Sequence, residues 1–241
     1  MSAIGIQIQG GITISGGGVI FEATPPTLVL SLDAAGYTTG PWIDNISSRS
    51  FTLYGGVTHS SDGGGSFVFD PTSSQYGECA SSLSDLNTWT VEAWHYYAGT
   101  NSAGSPCIVT ENYPGITGHI NYGLGNNSDS SPNLQSGWWN GGTWQPTPQG
   151  YTLTAGNWYH FVVSHPDFSS TVNLYLNGVL KLTSTDLGNY SSSDTISTTQ
   201  SISGFNPWGG KIAIIRIYKQ KGLTQAEVTQ NFNALRGRFA L

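Results

Sequence analysis

The run Val172-Asn173-Leu174-Tyr175-Leu176 meets Asn177-Gly178 and resumes at Val179-Leu180. This feature constrains the fold most. Asn-Gly between alternating runs marks a two-residue hairpin, because a type I′ turn needs positive φ at both central positions. Comparable runs of β-formers occur at 28–33, at 66–70 before Pro71, at 89–94, at 158–163 and at 211–218. Many short runs with turn signals between them predict an all-β sandwich or barrel. A chain of 241 residues can bury about 70% of its unfolded surface around a single core, which fits one sandwich-sized domain.

Charge narrows the function classes. Only 9% of residues are charged, against roughly 25% in average soluble chains, while aromatics reach 12%. That composition excludes a disordered chain, which carries many charges and few aromatics. No stretch approaches the roughly 20 apolar residues of a membrane-spanning helix, so membrane insertion is not expected. Residues 1–180 hold one basic residue, Arg49, against eleven acids; residues 181–241 hold seven basic residues and three acids. A body so poor in Lys and Arg does not suit nucleic acid, whose phosphates need clustered cations. The basic tail (Lys211, Arg216, Lys219, Lys221, Arg236 and Arg238) either offsets acids of the same molecule or docks on an acidic partner.

The two cysteines, Cys79 and Cys107, have no metal-ligand spacing. Their pairing is left open. The start, Met-Ser-Ala-Ile-Gly-Ile-Gln, has neither a basic n-region nor a long apolar h-region. Synthesis in a cytoplasm, with release by lysis, is the expectation. Residues 1–24 read as an arm in which Ile4, Ile6 and Ile8 alternate with small or polar residues, and Ile12 and Ile14 resume after Gly10-Gly11. Alternation of period two predicts an extended segment, and an uncharged strand of this kind needs a partner. Near the other end, Thr224 and Glu227 form a capping box, and Leu223 can staple onto Val228. A helix over about 225–236 follows, with Val228, Phe232 and Leu235 on one buried face and a stop at Arg236-Gly237.

Several blocks then carry a family resemblance. Leu28-Val29-Leu30-Ser31-Leu32-Asp33-Ala34-Ala35, Gly65-Ser66-Phe67-Val68-Phe69-Asp70, Thr88-Trp89-Thr90-Val91-Glu92-Ala93-Trp94, Gly156-Asn157-Trp158-Tyr159-His160-Phe161 and Asn173-Leu174-Tyr175-Leu176-Asn177-Gly178 stand in family order. With the close, from Gly210-Lys211-Ile212-Ala213 through Asn231-Phe232 to Phe239, the chain resembles the laminin-G-like branch of the concanavalin A-like lectin/glucanase superfamily. The form it is most similar to is that of tailed-phage structural proteins. The resemblance implies a jelly-roll sandwich of two antiparallel sheets over 25–241, with the helix at its end and the arm before it. After Phe69-Asp70 the family often has a second acid, where this chain reads Pro71-Thr72-Ser73. That weighs against a calcium ion, which wants six to eight oxygens with carboxylates among them. No cofactor is expected, and the metal question stays open.

The superfamily includes glucanases, and retaining glycosidases need two carboxylates about 5 Å apart. Glu22, Glu78, Glu92, Glu111 and Glu227 each lack a close second acid, and Glu92 is the best lone candidate. Five histidines show no metal or catalytic spacing, and Gly63-Gly64-Gly65 lacks the lysine of a phosphate loop. No enzymatic activity is expected. The binding candidates are Tyr113, His119, Asn121, Tyr122, Trp138, Trp139, Asn140 and Trp144, which set flat rings beside amides as sugars require. The alternative is cross-strand packing around an Asn-Gly-Gly turn. These readings lead to a non-enzymatic virion protein on a phage head or tail, for capsid decoration or fibre presentation, with possible adhesion to host glycans. Its expected partners are other virion proteins and copies of itself (a trimer by analogy with phage fibres), joined through Ile4, Ile6, Ile8, Ile12 and Ile14. A free lectin and a glucanase are the rival readings.

Overall fold

In a computed structural model the chain is a two-sheet antiparallel sandwich capped by one helix. The structure describes residues 12–15, 18–21, 27–79, 88–99, 107–111, 120–125, 133–139, 144–146, 151–166, 171–185, 200–202 and 208–241; for 12–15, 18–21, 107, 110–111, 120–125, 133–139, 144–146 and 200–202 it describes the backbone alone. Ile4, Ile6, Ile8, Tyr113, His119 and Asn140 lie outside these residues.

The strands run in chain order as β1 Ile12–Ser15, β2 Gly18–Phe21, β3 Leu28–Asp33, β4 Trp42–Ile43, β5 Ser50–Tyr54, β6 Thr58–Ser60, β7 Ser66–Phe69 and β8 Tyr76–Cys79. There follow β9 Trp89–Tyr97, β10 Cys107–Glu111, β11 Ile120–Gly125, β12 Asn133–Trp139 and β13 Trp144–Pro146. The last are β14 Asn157–His165, β15 Val172–Leu176, β16 Val179–Ser184, β17 Gln200–Ile202 and β18 Gly210–Lys219, before helix α1 Gln225–Leu235. One sheet has the order β16-β15-β14-β9-β18-β7-β6, with β3 also paired to β18. The other has the order β13-β12-β11-β10-β17-β8-β5-β4. All strand pairs are antiparallel. We call these the helix-backed sheet and the open sheet.

Between the sheets lies the main core, with Leu30, Leu32, Trp42, Phe51, Phe67, Phe69, Phe161, Leu174, Trp208 and Ile215 all buried. Alternation puts Trp89, Val91, Ala93 and Tyr97 of β9 into this core and Thr90, Glu92 and Trp94 on the opposite face. That opposite face is also covered. Helix α1 packs Leu223 and Val228 with Val162, Tyr175 and Tyr218, while the chain end packs Phe239 with Trp94, Ala213 and Ile214. The central strands of the helix-backed sheet are therefore buried on both faces, which explains their nearly unbroken apolar runs.

Two turn regions depend on glycine. Asn177 and Gly178 have φ of 51° and 76°, as a type I′ hairpin demands. Gly178 has a second duty, since a Cβ there would lie 2.8 Å from the Phe232 ring. Gly63-Gly64-Gly65 is turn material and also a cradle: Arg238 donates to the Gly63 and Gly65 carbonyls, and its Nη1 pairs with Asp33 at 2.8 Å. A Cβ on Gly65 would sit 2.6 Å from the Ala34 carbonyl oxygen, so only glycine fits.

Helix α1 begins as expected, with Thr224 and Glu227 in a complete capping box. Its apolar face differs in part: Leu223 and Val228 are buried, while Phe232 and Leu235 are half-buried against Trp94 and Phe239. The α-helix ends where expected, at Leu235 with Arg236 as its C-cap, but Gly237 does not take the left-handed conformation of a glycine stop. The chain tightens into a 3-10 turn over Arg236–Phe239, and Ala240 takes the left-handed conformation at φ 56°. The basic tail is largely spent inside the molecule, through Lys211 to Asp62, Arg216 to Glu92, Lys221 to Glu227 and Arg238 to Asp33. Cys79 is a buried free thiol.

In the segment read as an arm, Ile12–Ser15 pairs with Gly18–Phe21 as a hairpin, with Ile12 opposite Phe21 and Ile14 opposite Val19. Among the described residues this two-stranded sheet pairs with no strand of the sandwich. A chain beginning at Thr24 should therefore melt within a few degrees of the full-length protein. An unfolded or insoluble product would make the hairpin an integral part of the domain.

Candidate functional site

The two outer faces of the sandwich differ in kind. On the helix-backed sheet, Glu92 is fully buried under α1. Its carboxylate accepts from Asn231 Nδ2 at 2.8 Å and from the Tyr218 hydroxyl at 3.1 Å on one oxygen. The other oxygen lies 3.1 Å from His160 Nε2, 3.4 Å from Trp94 Nε1 and 3.7 Å from Arg216 Nη1. Burial alone would raise its pKa. The Arg216 charge, His160 and Asn231 outweigh that and hold it down at about 2. Burial, and next the Glu92 charge, push the Tyr218 phenol far above its ordinary value, so it stays a donor. The best lone acid in the sequence is thus an ionised carboxylate closed off from solvent. It ties the helix to the sheet.

His95 faces the main core. It is fully buried, edge-on to Trp208 at 4.8 Å, and neither ring nitrogen has a hydrogen-bond partner. Burial, and next the His160 charge, lower its pKa to about 3, so it is neutral in the folded protein. Asp70 is committed to its own loop, accepting from the Thr72 amide and hydroxyl and from the Ser73 hydroxyl. Among the described residues no three His, Cys, Asp or Glu side chains converge as metal ligands.

Among the described residues no helix packs on the open sheet. Phe51, Gly77 and Cys79 are buried toward the core, while Thr52 and Tyr54 are exposed and Tyr76 and Glu78 are half-buried on the other side. Tyr54 and Tyr76 stack at 4.8 Å. From Thr52 the register crosses the sheet as a continuous ladder: Thr52 opposite Glu78, Glu78 opposite Ser201, Ser201 opposite Thr110, Thr110 opposite Asn121, and Asn121 opposite Gly137. Of this row, Thr52 is exposed and Glu78 half-buried.

Of the sequence-derived binding residues, five lie on these strands. Asn121 is in the ladder itself, and Trp139 stands opposite Trp144 two positions along β12 from Gly137. Tyr122 stands opposite Val109 and Trp138 opposite Ile120, on the alternate positions of their strands. Across β12 and β13 it is Trp139 that meets Trp144, with Trp138 opposite Gln145. Thr52, Tyr54, Tyr76 and Glu78 did not emerge from the sequence. Only strand order brings them beside Asn121, and no local motif marks it.

The fold and this face define the class of protein. Residues 70–229 match a laminin G-like family, described as the concanavalin A-like lectin/glucanases superfamily. The chain belongs to that family. No curated protein matches it in sequence. Among solved structures it is similar to domain 4 of AbnA, an extracellular arabinanase from Geobacillus stearothermophilus, in complex with arabinotriose. That likeness has 18% identity and a TM-score of 0.65 over 84% of this chain and 97% of that one. It is also similar to the binding domain of botulinum neurotoxin DC in complex with rat synaptotagmin II, at 13% identity and a TM-score of 0.64. The match covers 87% of this chain and 52% of that domain, so the chain spans about half its length. At such identities the likeness is one of fold.

The buried histidine and carboxylate set the acid stability. Both pKa values lie below their unfolded values, so each group contributes stability above the unfolded value and loses it as pH falls. His95 acts from pH 6.5 down to about 3, and Glu92 from 4.5 down to about 2. His95→Phe should flatten the fall in melting temperature between pH 6.5 and 4.5, and should raise stability at pH 7 by about 1–3 kcal/mol through removal of an unpaired polar ring. Glu92→Gln should cost about 3–5 kcal/mol at pH 7, as breaking a buried ion pair does, and should make the fall below pH 4.5 shallower, with the His95 part of it remaining down to about pH 3. Thermal melts across pH on both variants check this.

Proposed function

We propose that the chain is a non-enzymatic structural protein of a tailed-phage virion, displaying a lectin-like sandwich whose open sheet adheres to glycans. The observation that carries the adhesion reading is the outward face of that sheet. A row of hydroxyl, amide and carboxylate residues crosses it, with the Tyr54–Tyr76 stack beside it and the Trp139–Trp144 pair at its far end. Sugars need that mixture, since their C–H faces stack on rings and their hydroxyls exchange hydrogen bonds with polar groups. The neighbours solved with arabinotriose and described as dependent on ganglioside for cell entry support the same class of ligand.

The non-enzymatic part rests on the carboxylates. Glu92 is sealed under the helix, and Glu78 faces Thr52 and Ser201 across its strand pairs. Hydrolysis with retention needs two carboxyl groups about 5 Å apart, and the ladder supplies one. The virion part rests on the order of the sequence blocks and on the phage-like close of the chain. In this reading the N-terminal segment is the anchor to other virion proteins or to further copies. Lys211, Arg216, Lys221 and Arg238, which could have met an acidic partner, are paired internally.

Mass spectrometry of purified particles should find the protein in stoichiometric amount. Charged replacements at Ile6 and Ile12 should remove it from particles while the purified sandwich keeps its melting temperature. Normal incorporation of those variants would overturn the anchor. Release of reducing sugar from arabinan or glucan by the pure protein would overturn the non-enzymatic reading.

A further inference from the structure

We propose that the seam between β3 and β4 is a docking slot for the N-terminal arm of a second copy of the chain, with residues 4–8 entering it as an extended, uncharged strand. This inference rests on the reading of the N-terminal segment as the anchor and names the surface that receives it.

The first ground is the main chain. The seam is bolted at Ser31, whose N–H donates to Asp44 Oδ1 at 2.7 Å and whose carbonyl accepts from the Asn45 amide at 2.8 Å. Asp44 is buried and also accepts from the Ile46 and Ser47 amides, so this end stays closed. The next facing positions are Ile43 and Asp33, and no backbone hydrogen bond joins them. There the strands have parted. Asp44 donates to the Arg49 carbonyl, and Ile43 stands opposite Ser50. Bonded and non-bonded pairs alternate along an antiparallel ladder, so the Ile43 N–H and C=O point away from β5. Among the described residues no strand pairs with β4 on that side. At the β16 end of the other sheet, by contrast, Gln225 Oε1 accepts from the Leu180 N–H and blunts the edge.

The second ground is the depression that the parting leaves. It measures about 350 Å³, and Asp33, Tyr37, Pro41, Trp42 and Ile43 are in its lining. That is the lower end for ligand sites, roughly 300–1,000 Å³, and suits a short stretch of chain. Ile43 is 44% exposed. Trp42 is buried, and its indole N–H has no partner among the described residues. A buried donor left alone is costly, and an inserted main chain brings carbonyl acceptors to this wall. Asp33 is the one charged residue of the lining, and its carboxylate is already held by Arg238 at 2.8 Å and by the Ala35 amide at 2.9 Å.

The third ground is the occupant. Residues 1–21 carry no charged side chain, and Ile4, Ile6 and Ile8 alternate with small or polar residues. A strand so patterned has one apolar side to bury and needs an edge to pair with. The arm joins the sandwich at the start of β3, whereas the slot lies at its other end, Asp33, five residues or roughly 17 Å away. Prolines 25 and 26 favour extended backbone ahead of β3. The arm is thereby directed away from its own slot and toward a neighbour's. Such a head-to-tail contact closes into a ring or runs on as a filament.

Analytical ultracentrifugation of the full-length protein over a range of concentrations tests this with two variants, Ile6→Lys in the arm and Ile43→Glu in the slot; circular dichroism verifies that both remain folded. The wild type should sediment as an oligomer and each variant alone as a monomer. Mixed in equal amounts, the variants should form a one-to-one dimer, because one supplies a sound slot and the other a sound arm. A wild type that stays monomeric at every concentration, an oligomer unchanged by Ile43→Glu, or a mixture that stays monomeric would overturn the inference. In any of these cases, loss of the Ile6→Lys protein from particles would leave the anchor reading standing with another partner, and its normal incorporation would overturn both.

Discussion

The buried carboxylate of Glu92 constrains the molecule more than any other group. A charge at the centre of a sheet must be met by donors from every side, and four come from three other elements: His160 on β14, Arg216 and Tyr218 on β18, and Asn231 on α1. Three of these lie on neighbouring strands, but the fourth fixes the helix. Val228 is the one fully buried residue of α1, so apolar packing alone gives the helix a weak choice of register on the sheet. The Asn231 contact, with Gln225 and Thr229 on the Gly178 carbonyl, selects one. Such a network adds specificity of docking more than net stability, since desolvation offsets much of the attraction.

The division of labour between the two sheets follows. Once the helix and the Arg238-Phe239 end have closed over the first sheet, its aromatic residues, Trp94 and Trp158 among them, serve packing. Only the second sheet keeps an uncovered outward face at the strands whose side chains are described. Charge is divided in the same way, with basic residues on the helix-backed side and none on the strands of the open one. An overall acidic chain therefore keeps Lys211, Arg216, Lys221 and Arg238 for internal ties.

Much of the fold was legible because its strands are punctuated by turn chemistry. Val172–Leu176 and Leu28–Asp33 have the expected bounds, and the Asn177-Gly178 hairpin and the Thr224–Glu227 box form as local chemistry dictates. What local patterns could not reveal was which residues meet across the sheets. Glu92 reads as the polar half of an alternating strand, yet both faces of β9 are covered. The clue was its setting, a nine-residue run in which Glu92 is the only acid or base other than His95. Which tryptophan of the Trp138-Trp139 pair meets Trp144 depends on register, and a shift of one would have exchanged the two. The polar row was invisible for a simpler reason. Its members come from strands as distant in sequence as Thr52 and Ser201, and no spacing rule joins them.

The central claim is that recognition takes place on the open sheet. Backbone amide chemical-shift mapping of the isotopically labelled protein, titrated with a neutral linear hexasaccharide, tests it most directly. The account predicts shifts confined to β5, β8, β10, β11, β12, β13 and β17, largest near Tyr76, Glu78, Asn121 and Trp139. Shifts clustered instead at the depression of about 350 Å³ lined by Tyr37, Thr39, Pro41 and Asn45, or along α1, would contradict it.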